Sequence, residues 1–184
     1  MRSKTTILGI DPGTQILGFG VISTDGISFN YITSGVLDLR KIGDPFEKLM
    51  HISNRVKELI GEYHPDIMAI EAPFYGKNVQ SMLKLGRAQG AAISSALVLN
   101  VPVFEYAPRK IKLSVTGKGA ASKEQVASLL SSILKITINQ KFFDSTDALA
   151  VAFCHAINGG VTNSTHKSSS TWDSFVKNNP GRIK

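Results

Sequence analysis

Thr5-Thr6-Ile7-Leu8-Gly9-Ile10-Asp11-Pro12-Gly13-Thr14 is an apolar, β-branched run that stops at an acid and enters a Pro-Gly turn. It reads as a buried strand followed by a tight loop. Gly18-Phe19-Gly20-Val21-Ile22 resumes the strand pattern, and Ile27 to Leu37 alternates loosely after the turn signal Asp25-Gly26. Three antiparallel strands in a meander are expected. Ile67-Met68-Ala69-Ile70 is apolar throughout, as in a central parallel strand, and it too stops at an acid, Glu71.

The remaining segments supply helices. Asp44 can cap a helix with Pro45 in its first position and Glu47 at a capping-box spacing. Phe46, Leu49, Met50, Ser53, Val56 and Ile60 are expected on its buried face, with the end near Tyr63. Asn78 caps a second long helix running to about Leu99, and its small residues (Gly86, Ala88, Gly90, Ala91, Ala92, Ser95) permit another backbone to approach closely. Val101 to Tyr106 is a strand, Pro108 opens a short helix that Gly117-Lys118-Gly119 breaks, and Ser122 with Gln125 starts another. Asp144 to Ile157 is the last helix. This order predicts an α/β fold, a ribonuclease H-like mixed five-stranded sheet with helices on both faces, over residues 1–157. From Asn158 onward Gly, Ser, Thr and Asn dominate, so residues 158–184 are expected to form a flexible C-terminal tail.

Composition narrows the class. At 184 residues and 42% hydrophobic content the chain can bury one sizeable core. Cys154 is the single cysteine, which excludes an internal disulfide and favours a reducing, cytoplasmic setting. No run approaches the roughly 20 apolar residues of a membrane span. The net charge of +7 is unevenly spread: residues 1–76 hold 7 Lys/Arg against 9 Asp/Glu, residues 77–141 hold 10 against 2, and residues 142–184 hold 4 against 3. A basic middle third suits a surface facing phosphates, although a solvated basic face would look the same.

Four acids stand at structural termini: Asp11 and Glu71 end strands, while Asp144 and Asp147 lie three apart at a helix start. Each has an ordinary reading as a turn cap, a solvated strand end or a helix cap. Together they fit a site better, because open α/β folds place sites at the carboxyl ends of buried strands. The i, i+3 spacing puts Asp144 and Asp147 on one helical face. Clustered carboxylates repel unless a cation lies between them, and oxygen-only ligands suit Mg²⁺ or Mn²⁺. Two such ions can activate a water and stabilise the leaving oxygen of a phosphodiester. His51, His64, His155 and His166 are scattered, with no zinc spacing.

Ile7 to Thr14 with Gly18 to Ile22 resembles the opening of RuvC resolvases. So do Ala69-Ile70-Glu71-Ala72-Pro73-Phe74-Tyr75-Gly76-Lys77-Asn78, Leu83-Lys84-Leu85-Gly86-Arg87-Ala88-Gln89-Gly90, Pro102 to Pro108, and Asp144-Ser145-Thr146-Asp147-Ala148-Leu149-Ala150, in family order over roughly residues 5–157. The resemblance implies a metal-dependent endodeoxyribonuclease that resolves Holliday junctions by paired nicks in two strands of like polarity. Asp11, Glu71, Asp144 and Asp147 would then hold the metal, with two Mg²⁺ (or Mn²⁺) ions per site, and Lys112 and Lys123 would lie near the cleaved phosphate. Phe74 matches an aromatic that stacks on or wedges between bases, with Tyr75 beside it. Lys77, Lys84, Arg87, Arg109, Lys110 and Lys118 are candidates for DNA-backbone contacts. The resemblance further implies partnership with the RuvA and RuvB branch-migration proteins, and a homodimer, joined through the small-residue helix Asn78–Leu99, is expected because a two-fold protein matches the two-fold symmetry of a four-way junction. Phe142-Phe143 before Asp144 is bulkier than the family pattern.

Other classes stay open at this level. Asp11-Pro12-Gly13-Thr14 with Gly18 also resembles the phosphate turn of actin-like ATPases and sugar kinases, which need a second half of similar size. A ribonuclease H-like nuclease for other nucleic acids, or a non-catalytic junction binder, would share the fold.

Overall fold

The computed structural model describes residues 4–73, 78–137 and 143–159. Five strands form one sheet in the order β3-β2-β1-β4-β5: β1 (Thr5–Asp11), β2 (Ile16–Thr24), β3 (Phe29–Asp38), β4 (Ile67–Glu71) and β5 (Val103–Tyr106). The β1-β2-β3 meander is antiparallel, whereas β4 lies parallel to β1 and β5 parallel to β4. The sheet is therefore mixed, with β1 and β4 at its centre.

Side chains alternate across a strand, so each central strand feeds two cores. Leu8, Ile10, Met68 and Ile70 pack against α1 (Pro45–Tyr63) and α2 (Val79–Val98). Ile7 and Ala69 pack on the opposite face, against α3 (Pro108–Thr116), α4 (Lys123–Leu134) and α5 (Phe143–Gly159). Both faces carry helices, as the element order predicts. By the same alternation Asp11 (two residues on from Gly9) and Glu71 (two on from Ala69) project to the α5 side. Gly9 pairs with Ala69 and Ile10 with Ile70, so the next rung brings the two acids side by side.

Local signals hold where a cap or turn defines them. Asp44 accepts from the backbone of Phe46 and Glu47, Asn78 caps α2, and Ser122 and Gln125 form a reciprocal capping box. Gly117 ends α3 at φ 72°, a conformation favouring glycine. The face of α1 departs from expectation: Phe46 and Met50 are exposed, and the buried stripe is Ile52, Val56, Leu59 and Ile60. That i, i+4, i+7, i+8 stripe meets the sheet and α2, which turns the first helical turn outward. α5 continues to Gly159, two residues beyond its expected end at Ile157, and Asn158 Nδ2 donates to Cys154 O at 2.7 Å and Ser114 Oγ at 2.9 Å. Residues 160–184, the rest of the segment expected as a tail, lie outside the described residues, as does Phe142. Among the described residues no helix is long and apolar enough to cross a membrane.

Candidate active site

α5 crosses β1 and β2 at unusually short range because glycines face it. A Cβ on Gly9 would lie 2.1 Å from Ala148 O, and one on Gly18 would lie 2.0 Å from Asp144 O. These two bare positions let the first turns of α5 rest on the sheet backbone. Asp144 and Asp147 are thereby lowered onto the carboxyl ends of β1 and β4.

Asp11, Asp144 and Asp147 each present an oxygen within 4.8 Å of the others. Glu71 joins them through a hydrogen bond with Asp11. Burial, then the charges of Glu71 and Asp147, the hydrogen bond to Glu71 and the charge of Asp144 push the Asp11 carboxyl far above the usual carboxylate range. Glu71 is also raised, by burial first; Asp147 adds to this, while the Asp11 bond, Lys123 and Lys112 pull the other way. The sequence thus brings all four acids together.

Lys123, at the start of α4, closes one side with its Nζ 2.6 Å from Asp147 Oδ2. Burial disfavours its charge, but the bond to Asp147 and the fields of Asp147, Asp11 and Asp144 outweigh this and raise its pKa. Lys112, half-buried on α3, contributes positive field at Glu71. The one ion pair within the cluster leaves it anionic, and its donors are all carboxylate oxygens. That donor set fits a hard divalent cation better than a transition metal needing nitrogen or sulfur.

Other candidates are dispersed. Lys84 and Arg87 line a cavity of about 280 Å³ between α1 and α2, together with Thr14, Gln15, Phe46 and Lys48. Arg109 packs its stem against Gly119, and Lys118 lies exposed near Glu124. Lys110 places its ammonium 5.1 Å from the centre of the Tyr106 ring, a cation–π contact. Phe74, Tyr75 and Lys77 lie outside the described residues.

Three polar groups beside the site escaped sequence reasoning. Buried Gln89 donates to Glu71 O at 3.3 Å and Glu105 Oε1 at 2.6 Å, tying α2 to the end of β4. Arg40 is held by Asp38 through Nε and Nη2, at 2.9 and 2.6 Å, and feels the charge of Asp144. Lys48 reaches from α1 to the turn after Asp11. Apart from the local Asp38–Arg40 pair, these contacts join residues far apart in the chain and leave no periodic signature.

A ribonuclease H-like sheet with acids gathered at the ends of its central strands defines a nuclease-type active site. Residues 7–155 match the family model described as crossover junction endodeoxyribonuclease RuvC. The crossover junction endodeoxyribonuclease RuvC of Cytophaga hutchinsonii is 54% identical over 178 residues, covering 97% of this chain and 88% of that protein. The Christiangramia forsetii protein of the same name is 53% identical over 184 residues, covering 100% of this chain and 95% of its own. The solved structure of Thermus thermophilus RuvC in complex with Holliday junction substrate superposes with a TM-score of 0.79 at 31% identity, covering 84% of this chain and 94% of that one. The chain belongs to the RuvC family of crossover junction endodeoxyribonucleases.

Proposed function

We propose that the protein resolves Holliday junctions, cutting two strands of like polarity at the site formed by Asp11, Glu71, Asp144 and Asp147. The observation that carries this reading is the half-buried meeting of the Asp11, Asp144 and Asp147 carboxylates from β1 and α5, with Glu71 of β4 against Asp11. The four acids would hold Mg²⁺, or Mn²⁺, as two ions. Bound there, divalent ions supply an activated water and neutralise charge on the scissile phosphate. Lys123 and Lys112 offer cationic groups where negative charge develops in the transition state. Lys123 also orients Asp147 through their 2.6 Å bond.

Substrate binding falls to the basic middle third. Phe74, Lys77, Lys84, Arg87, Arg109 and Lys118 are proposed to contact junction DNA, Phe74 by stacking. Lys110, engaged with Tyr106, would contribute through its remaining donors. A homodimer matches the two-fold symmetry of a four-way junction and supplies two cutting sites. The outer face of α2 supports that assembly: Val79, Leu83, Leu97 and Val98 are exposed, and the space around Gly86 and Gly90 is open. Cooperation with RuvA and RuvB, action in the cytoplasm and a tail after α5 belong to the same reading.

The test compares synthetic four-way, linear and RNA–DNA hybrid substrates with Mg²⁺ or chelator. Paired nicks in the four-way substrate alone, lost with chelator, support the proposal; equal cutting of the hybrid would transfer the protein to another nuclease activity. Asp11→Asn should abolish cutting and leave junction binding intact.

A further inference from the structure

Lys48 sits in the first turn of α1, where a cation opposes the helix dipole. Among the described residues it has no carboxylate partner. Its half-buried ammonium instead donates to Thr14 O at 3.1 Å and Gln15 Oε1 at 3.4 Å, 34 and 33 residues away. Those two residues end the short turn that joins Asp11 to β2. Leu39 N, one residue past β3, holds the same turn, donating to Gln15 O at 2.8 Å. The turn also shares a shallow cavity with Asp144, Ser81 and Leu85.

We propose that Lys48 is a positioning residue for the metal site: by fixing the Pro12–Gln15 turn it keeps Asp11 close enough to Asp144 and Asp147 for the three to share a cation. This rests on the reading of those acids as metal ligands. The mechanical link is short. Asp11 precedes the turn directly and pairs across β1-β2 with Gly18, on which the Asp144 backbone rests. A shift of the Thr14 carbonyl is therefore passed to Asp11, three residues back along the chain, and through the Asp11–Gly18 pair to the backbone contact on which Asp144 rests. An apolar side chain at position 48 would leave that carbonyl without its donor, whereas arginine keeps both charge and reach.

The full-length chain and its Lys48→Met and Lys48→Arg variants would be titrated calorimetrically with Mn²⁺ in the absence of DNA. Hydrogen exchange at the amides of residues 13–15 and of Leu39, which donates to Gln15 O, and four-way-junction binding in chelator complete the comparison. Lys48→Met should weaken Mn²⁺ binding about tenfold and lose protection in the turn, junction affinity should hold within about twofold, and Lys48→Arg should recover most of the metal affinity. Unchanged Mn²⁺ affinity with unchanged turn protection overturns the proposal. So does a joint fall of metal affinity, junction affinity and protection throughout α1, which would mark a fold-stabilising residue. If the unsubstituted chain binds no Mn²⁺, the metal reading itself fails, while turn protection still tests the Lys48 contact. Lys48→Gln provides the neutral comparison should the methionine variant not fold.

Discussion

The backbone oxygen of Asp144 lies 2.0 Å from where a Cβ on Gly18 would stand. No real side chain tolerates that distance, and the obstacle is backbone, which cannot rotate away. Gly18→Ala should therefore lift the start of α5 off β2 and cost about 1–3 kcal/mol in overpacking. For a chain of this size that lowers Tm by very roughly 2–10 °C. Cutting should fall further than stability does, because Asp144 and Asp147 ride on the displaced turn. Gly61→Ala is the control: it lies on α1 with open space around it, and should stabilise by about 0.5–1 kcal/mol. Thermal melts and cleavage rates of the two variants check this, and equal behaviour would refute the close-packing account.

The raised carboxyls of Asp11 and Glu71 make a pH prediction whose sign differs from that of an ordinary salt-bridged acid. An acid whose folded pKa exceeds its unfolded value binds more protons folded than unfolded. Stability then declines as pH rises from the usual carboxylate range towards the raised folded value. In chelator the protein should melt at a lower temperature at pH 8 than at pH 5.5. Mg²⁺ should restore more stability at pH 8, where it displaces fewer protons. Asp11→Asn imitates the neutral form, so it should flatten the pH dependence in chelator while abolishing cutting. A Tm in chelator that rises over this interval in the unsubstituted protein but not in Asp11→Asn would contradict the assigned direction.

Asp11 and Glu71 were legible in the sequence because each interrupts an apolar run, and a strand end is a position that local pattern reports. Asp144 and Asp147 were legible from their helical spacing. What pattern does not report is tertiary. Phe46 and Met50 fit the apolar periodicity of α1, yet the helix meets the sheet through Ile52, Val56, Leu59 and Ile60, leaving the first turn beyond the packed layer. The contacts of Gln89 with Glu71 and of Lys48 with Thr14 pair groups 18 and 34 residues apart, which no local rule anticipates. Family resemblance named Lys112 and Lys123, whose places beside Glu71 and Asp147 depend on how α3 and α4 pack.

Lys123 and Asp147 form the ion pair within the carboxylate cluster. Lys123→Met leaves that cluster more anionic and removes a cation from the reaction zone. Cutting should drop about 10²–10³-fold, the scale of losing one donor aimed at developing charge. Folding should change by little more than about 1 kcal/mol, since the Lys123 side chain is 56% exposed although Asp147 is only 19% exposed. Lys123→Arg keeps the charge and should retain part of the rate. Single-turnover cleavage at saturating protein isolates the chemical step, and an unchanged rate there would remove Lys123 from the machinery.

The outer face of α2 predicts oligomeric state. Leu83 is 56% exposed and Val79 68% exposed, one turn apart, and Gly86 and Gly90 continue the face without side chains. Large apolar groups beside bare backbone favour a second helix packed closely enough to cover both. Leu83→Asp would place two like charges near the dyad of a symmetric pair and should convert a dimer at micromolar concentration into a monomer, as sedimentation would report. The Asp11, Asp144 and Asp147 cluster lies within one chain, so metal binding should survive in that monomer. Paired nicking should not, because it needs two sites held across one junction: the variant should release singly nicked intermediates that the unsubstituted protein does not accumulate. A monomeric unsubstituted protein that still makes paired cuts would refute the dimer.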